Sequence, residues 1–194
     1  QNSNLLTLAD EDIDGLLVEN ETLWHWGPAG IGFETNITSW VWRVPSGDIV
    51  NDVSVDGGYG FAAYDDGLIA GNVSTEDTQI ILDGHKIVSV SSNSSTWIAL
   101  ETGESTSIWF GDLNDGLEQN VELALIVPST VLDWELKQDD NFLYLRVEGL
   151  LNELYYRQPL VARDDSFTEI SSSQWPISSP EPPEVCYEVG VEVN

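Results

Sequence analysis

The 194-residue chain has one cysteine, no methionine, two histidines and only six basic residues. Each scarcity excludes something. The lone Cys186 cannot build an internal disulfide framework and leaves at most a bridge to another molecule. His25 and His85, with one cysteine, do not make a zinc set, and none of the three stands at metal-ligating spacing. Six cations against 34 acidic residues exclude a surface that binds nucleic-acid phosphates or an anionic membrane, because both need a basic footprint. No apolar run approaches the roughly 18 residues needed to cross a bilayer, so direct membrane insertion is not expected, and no leader-like apolar stretch opens the chain. With Gln1 first and no methionine anywhere, we expect a processed, exported chain. Phosphate-binding glycine loops are missing, as is the G-x-S-x-G elbow of hydrolases. A Ser-His-Asp triad or a glycosidase carboxylate pair could be assembled only on paper, since Ser and Asp are everywhere. The chain is expected not to be an enzyme.

What the chain has in excess is negative charge, a net −28, alongside 41% hydrophobic residues and eight tryptophans. Such self-repulsion works against a compact state in ordinary buffer. In 1 M salt the Debye length shrinks to about 3 Å and most of that penalty disappears. The composition resembles that of halophile proteins; an ordinary acidic extracellular domain is the other reading.

The remaining pattern is β. Val131–Glu148 alternates with period two on both sides of the polar turn Gln138-Asp139-Asp140-Asn141. This predicts a half-buried antiparallel hairpin with Leu132, Trp134, Leu136, Leu143, Leu145 and Val147 inward. Trp40, Trp42 and Val44 alternate likewise before Pro45. Asp83-Gly84 supplies the positive φ angles of a type I′ turn and predicts a tight hairpin between residues 79–82 and 85–90. Residues 96–100 and 106–110 predict a second pair. Eight or more short strands joined by Gly- and Asp-containing turns predict an all-β fold, a single antiparallel β-sandwich or jelly roll with few or no helices. No internal repeat stands out. The expected divisions are an acidic arm at 1–23, the β domain at 24–170, and a Ser/Pro linker with a last strand at 171–194.

Asp10-Glu-Asp12-Ile-Asp14-Gly15-Leu16, ending at Glu21, fits D-x-D-x-D-G-x5-E and resembles the calcium loop of EF-hands. That resemblance implies side-chain ligands at Asp10, Asp12, Asp14 and Glu21, a carbonyl from Leu16, and a structural Ca2+. Gly27-Pro28 argues against flanking helices, so a solvated acidic arm stays open as the alternative. Asn20, Asn36, Asn72 and Asn93 begin N-glycosylation sequons. Trp40 and Trp42, on one strand face, offer either packing or a platform for stacking a glycan. Val185, Tyr187, Val189, Val191 and Val193 share the parity of a strand on a stiff leash, which can close its own sheet or add to a neighbour's edge. Together these features lead us to expect a self-assembling structural protein of a halophile's surface or of its virus. It would be extracellular, at the cell surface or in a virion, and a homo-oligomer or polymer built by edge-strand addition and aromatic contacts. A secreted carbohydrate-binding or adhesion module is the alternative.

Overall fold

The computed structural model describes residues 13–35, 38–45, 48–75, 77–125 and 127–176. Among them are sixteen strands in four successive four-stranded antiparallel sheets, each a simple up-and-down meander. The first sheet holds β1 (Gly15–Glu19), β2 (Thr22–Gly27), β3 (Gly30–Glu34) and β4 (Ser39–Arg43). The second holds β5 (Val50–Asp56), β6 (Tyr59–Tyr64), β7 (Gly67–Asn72) and β8 (Thr78–Ile81). The third holds β9 (Ile87–Asn93), β10 (Thr96–Thr102), β11 (Thr106–Asp112) and β12 (Leu117–Glu122). The fourth holds β13 (Val131–Gln138), β14 (Phe142–Gly149), β15 (Glu153–Pro159) and β16 (Thr168–Ile170). Only one helical turn is present among the described residues, the 3-10 turn Ser172–Gln174, and no helix there is long and apolar enough to cross a membrane.

This architecture corrects the expected sandwich or jelly roll. A sandwich has two sheets around one core; here three cores lie between four sheets. Trp24, Ile31, Phe33 and Trp42 pack against Ala62, Tyr64 and Ile69 between the first and second sheets. Phe61, Ala63, Leu68 and Ala70 pack against Ile87, Val90, Trp97 and Ala99 between the second and third. Ile98, Leu100, Ile108 and Phe110 meet Leu136, Leu143, Leu145, Val147 and Tyr156 between the third and fourth. Alternate residues of β6 and β10 therefore go to different cores, and both strands are buried on both faces. In the second to fourth sheets the first strands lie side by side, β5 against β9 and β9 against β13. Four-stranded meanders stacked in sequence order, first strand inward, are the blades of a β-propeller.

Two tryptophans show how closely neighbouring sheets approach. A Cβ at Gly60 would lie 2.4 Å from Trp24, and one at Gly71 would lie 2.2 Å from Trp42. The indoles reach across from the first sheet to glycine backbone of the second.

Asp83-Gly84 is a turn, but not a hairpin turn. β8 pairs with β7 and β9 with β10, so the Asp-Gly step carries the chain from one sheet to the next. Positive φ falls at Leu82 (54°) and Gly84 (82°), and Gly84 N–H donates to Asp66 O at 3.0 Å. The hairpin from Val131 to Glu148 forms in register, Trp134 opposite Val147 and Leu136 opposite Leu145. A bulge between Val131 and Asp133 turns Leu132 outward to 58% exposure, which corrects its expected place in the core.

The inner strands are tied by a polar ladder. Asp52 Oδ2 accepts from Ser89 Oγ (2.6 Å) and Val90 N–H (2.9 Å), while Oδ1 accepts from Val53 N–H (2.8 Å). Two residues on, Ser54 Oγ accepts from Ser92 N–H at 2.9 Å, and two further, Asp56 accepts from Ser94 N–H at 2.7 Å. Ser89 Oγ also accepts from Leu136 N–H at 2.9 Å, so one hydroxyl links three sheets. Burial pushes the Asp52 carboxyl above the usual aspartate range, partly offset by the bonds from Ser89, Val90 and Val53.

Candidate functional site

A linear stack of sheets has two end faces, and in this chain they differ chemically. On the first sheet, the residues turned away from the second are Leu16, His25 and Val41 in one row, and Val18, Leu23 and Glu34 in the next. Leu16 is 62% and Val18 71% exposed. Of the strand positions on this face, only Glu34 and Arg43 are charged, with opposite signs. His25 is nonetheless buried, because its ring lies over Gly32, where a Cβ would stand 2.4 Å from Cε1. Its Nδ1 has no hydrogen-bond partner among the described residues. Burial lowers its pKa, against a smaller raising effect of Glu34, which favours the uncharged imidazole on this face.

The outer face of the fourth sheet is polar and already covered. Arg146 Nη2 donates to Asp133 Oδ2 at 3.0 Å, and its Nε stands 3.0 Å from Glu135 Oε2. Glu148 and Glu153 flank it at 3.8 and 3.9 Å. Beyond the 3-10 turn, Trp175 folds back so that its ring meets Tyr144 at 6.2 Å and Tyr155 at 5.6 Å, with Lys137 Nζ 5.2 Å above it. One end of the stack is covered by Trp175; at the other, among the described residues, aliphatic side chains are left exposed.

A second polar constellation surrounds His85. Its Nδ1 lies 2.8 Å from Glu101 Oε1, and Glu101 Oε2 accepts from Trp109 Nε1 (2.8 Å) and Ser107 Oγ (3.1 Å). Burial alone would raise Glu101, but the bonds from His85, Trp109 and Ser107 together hold it below the usual range. The serine proton goes to the carboxylate and not to the histidine. The arrangement orients an imidazole without placing a nucleophile against it.

The residues singled out from the sequence are dispersed. Asp10 and Asp12 lie outside the described residues. Asp14 precedes β1, Leu16 is within it, and Glu21 is in the turn after it. A five-residue strand at about 3.3 Å per residue separates Asp14 from Glu21 by well over 10 Å, so the two described carboxylates are not brought together. No group of three or more potential metal ligands occurs among the described residues. Asn20 is exposed in the β1–β2 turn with φ 48°. Asn93 is exposed at the end of β9. The Asn72 side-chain carbonyl accepts from Ser74 N–H at 2.7 Å; Asn36 lies outside the described residues. Trp40 and Trp42 share a face, as their parity requires. Trp42 is 4% exposed, packed with Trp24 and Phe33, and only Trp40, at 39%, reaches solvent. Val185, Tyr187, Val189, Val191 and Val193 also lie outside the described residues.

Sequence reasoning missed the ladder from Asp52, the His85–Glu101 pair and the folding back of Trp175. The i, i+2, i+4 run Asp52, Ser54, Asp56, matched by Ser89 to Ser94, was the available signal for the first. Nothing local in the sequence signals the other two.

No family model and no curated protein matches the chain. Solved structures do. The N-terminal domain of Nup159 superposes with a TM-score of 0.58 at 10% identity, covering 82% of this chain and 48% of that one. The WD40 domain of Neurospora crassa Pan2 gives 0.55 at 8% identity, covering 82% and 51%. Apo AztD from Citrobacter koseri gives 0.50 at 14%, covering 82% and 46%. The likeness is one of fold alone. A WD40 domain is a β-propeller of four-stranded blades, in agreement with the stack described above, and this chain spans about half the length of these three structures.

Proposed function

We propose that the chain is a non-enzymatic, self-assembling structural module of an exported surface, cell or virion, adapted to high salt, and that it associates with a second copy through the outer face of its first sheet. The observation that carries this reading is the apolar, carboxylate-poor face formed by Leu16, Val18, Leu23 and His25 on a molecule of net charge −28. Depletion of charge with exposed aliphatic side chains marks the core of a protein interface. A second copy fits that face better than the fourth sheet does, because apolar would then meet apolar about a two-fold axis, while the fourth sheet carries Arg146, its carboxylates and Trp175. The His85–Glu101–Ser107 arrangement, which leaves the histidine without a nucleophile, supports the non-enzymatic part.

Sedimentation of the full chain tests this. In molar KCl, where repulsion between copies is screened, the chain is expected to sediment as a dimer or larger species. The double variant Leu16→Glu, Val18→Glu is expected to be monomeric with little change in melting, since both positions are exposed. A wild type that stays monomeric in molar salt would sink the reading. So would a double variant that assembles normally.

A further inference from the structure

Between the third and fourth sheets, at the end where β9 turns into β10, a cavity of about 500 Å³ opens to solvent. Ile98, Phe110 and Leu160 give it apolar walls, and Thr96, Gln138 and Arg163 supply polar groups. The volume lies within the ordinary range for small-ligand sites, which combine an apolar lining with a few fixed polar groups.

The amides are what make this more than a cleft. Gln138 and Gln158 flank Leu143 on the face of the fourth sheet that looks toward the third, Gln138 opposite Leu143 on one side and Gln158 opposite it on the other. Gln158 is fully buried. Its Nε2 and Oε1, and the buried Nε2 of Gln138, have no hydrogen-bond partner among the described residues. A buried polar group left unsatisfied is costly, and among the described residues nothing answers these, which leaves a place for ordered water or a ligand. Leu160, two residues beyond Gln158, lines the cavity, and Gln138 itself does too.

The surroundings select the ligand. Side-chain amides offer donors and acceptors together, the match for hydroxyl groups. Among the described lining residues Arg163 is the one cation, and it already lies over Phe110, 6.0 Å from the ring centroid. Past Phe110 and Arg163 a second hollow continues between Asp112, Asp115 and Glu118, a carboxylate-lined path that repels anions. We propose that this cavity binds one neutral sugar unit, with hydroxyls on Gln138 and Thr96 and its apolar ring face on Ile98 and Leu160, the adjoining hollow leaving room for a second unit. This inference does not depend on self-assembly.

The test is NMR of the 15N-labelled chain, produced without N-glycans so that Asn93 leaves the mouth clear, titrated separately with glucose, galactose, mannose, N-acetylglucosamine and glucuronate. At least one neutral sugar is expected to shift the side-chain NH2 signals of Gln138 and Gln158. Gln138→Leu should weaken that binding at least tenfold, and Thr96→Val, at the rim, should weaken it less while leaving the fold intact. Absence of any shift with the neutral sugars would overturn the proposal, leaving the amides to water alone. Binding of glucuronate only would replace it with an anion site at Arg163, and binding that Gln138→Leu and Thr96→Val both leave unchanged would place the sugar elsewhere.

Discussion

Three donors meet on the carboxylate of Asp52, two from the neighbouring first strand and one from its own, and Ser89 passes the connection on to Leu136. Removing the carboxylate leaves those donors buried without an acceptor, so Asp52→Ala should lower unfolding free energy by about 2–4 kcal/mol in chemical denaturation. Ser54→Ala, further out on the same ladder, should cost about 1 kcal/mol. The pH dependence has a definite sign. Because the folded state raises the Asp52 pKa, the native protein holds that proton to higher pH than the unfolded chain. Its contribution to stability is therefore greatest below the ordinary aspartate range and declines as pH rises toward the raised value. The difference in melting temperature between the wild type and Asp52→Asn should change across that window, with the wild type losing ground as pH rises. A difference that stays flat would mean that Asp52 is not desolvated. Nothing in Val50-Asn-Asp-Val-Ser-Val-Asp56 marks Asp52 as buried, since burial here comes from the strand 37 residues later.

At the scale of elements, the hairpin β13–β14 was legible because its two faces differ: Leu143, Leu145 and Val147 enter the core, and Tyr144, Arg146 and Glu148 turn away from it. Its bulge was not legible, because alternation continues through Leu132 without a break. The consequence is measurable. Leu132→Ser should change stability by less than about 0.5 kcal/mol, while Leu136→Ala should cost about 2–5 kcal/mol. Comparable losses at both positions would put Leu132 back in the core. Trp175→Ala should cost about 1 kcal/mol through its lost ring contacts and the Lys137 contact, measured by chemical denaturation.

The sheet count escaped the sequence reading for a physical reason. Period two identifies a strand and one buried face, but it does not say which sheet that face meets. In β6 and β10 both faces are buried, and the apolar runs Phe61-Ala-Ala-Tyr64 and Trp97-Ile-Ala-Leu100 carry that signal. Such runs point away from a sandwich, whose strands keep one face in solvent. The Asp83-Gly84 turn misled in the same way, since local turn chemistry does not specify whether the next strand returns to the same sheet.

For the whole molecule, the charge and the end faces act together. Copies carrying −28 each repel in dilute buffer, and under the proposed association short-range apolar contact would have to outweigh the repulsion that molar salt screens. Association should therefore strengthen with salt, opposite to an interface held by ion pairs. The most direct measurement is cross-linking between copies in molar KCl, with Leu16→Cys or Val18→Cys in a Cys186→Ser background and a short bis-maleimide. Leu151→Cys, at a position 93% exposed on a loop of the fourth sheet, is the control. Covalent dimers from the two first-sheet positions and not from Leu151 are the predicted result. Dimers from all three alike, or from none, would contradict association through the first sheet.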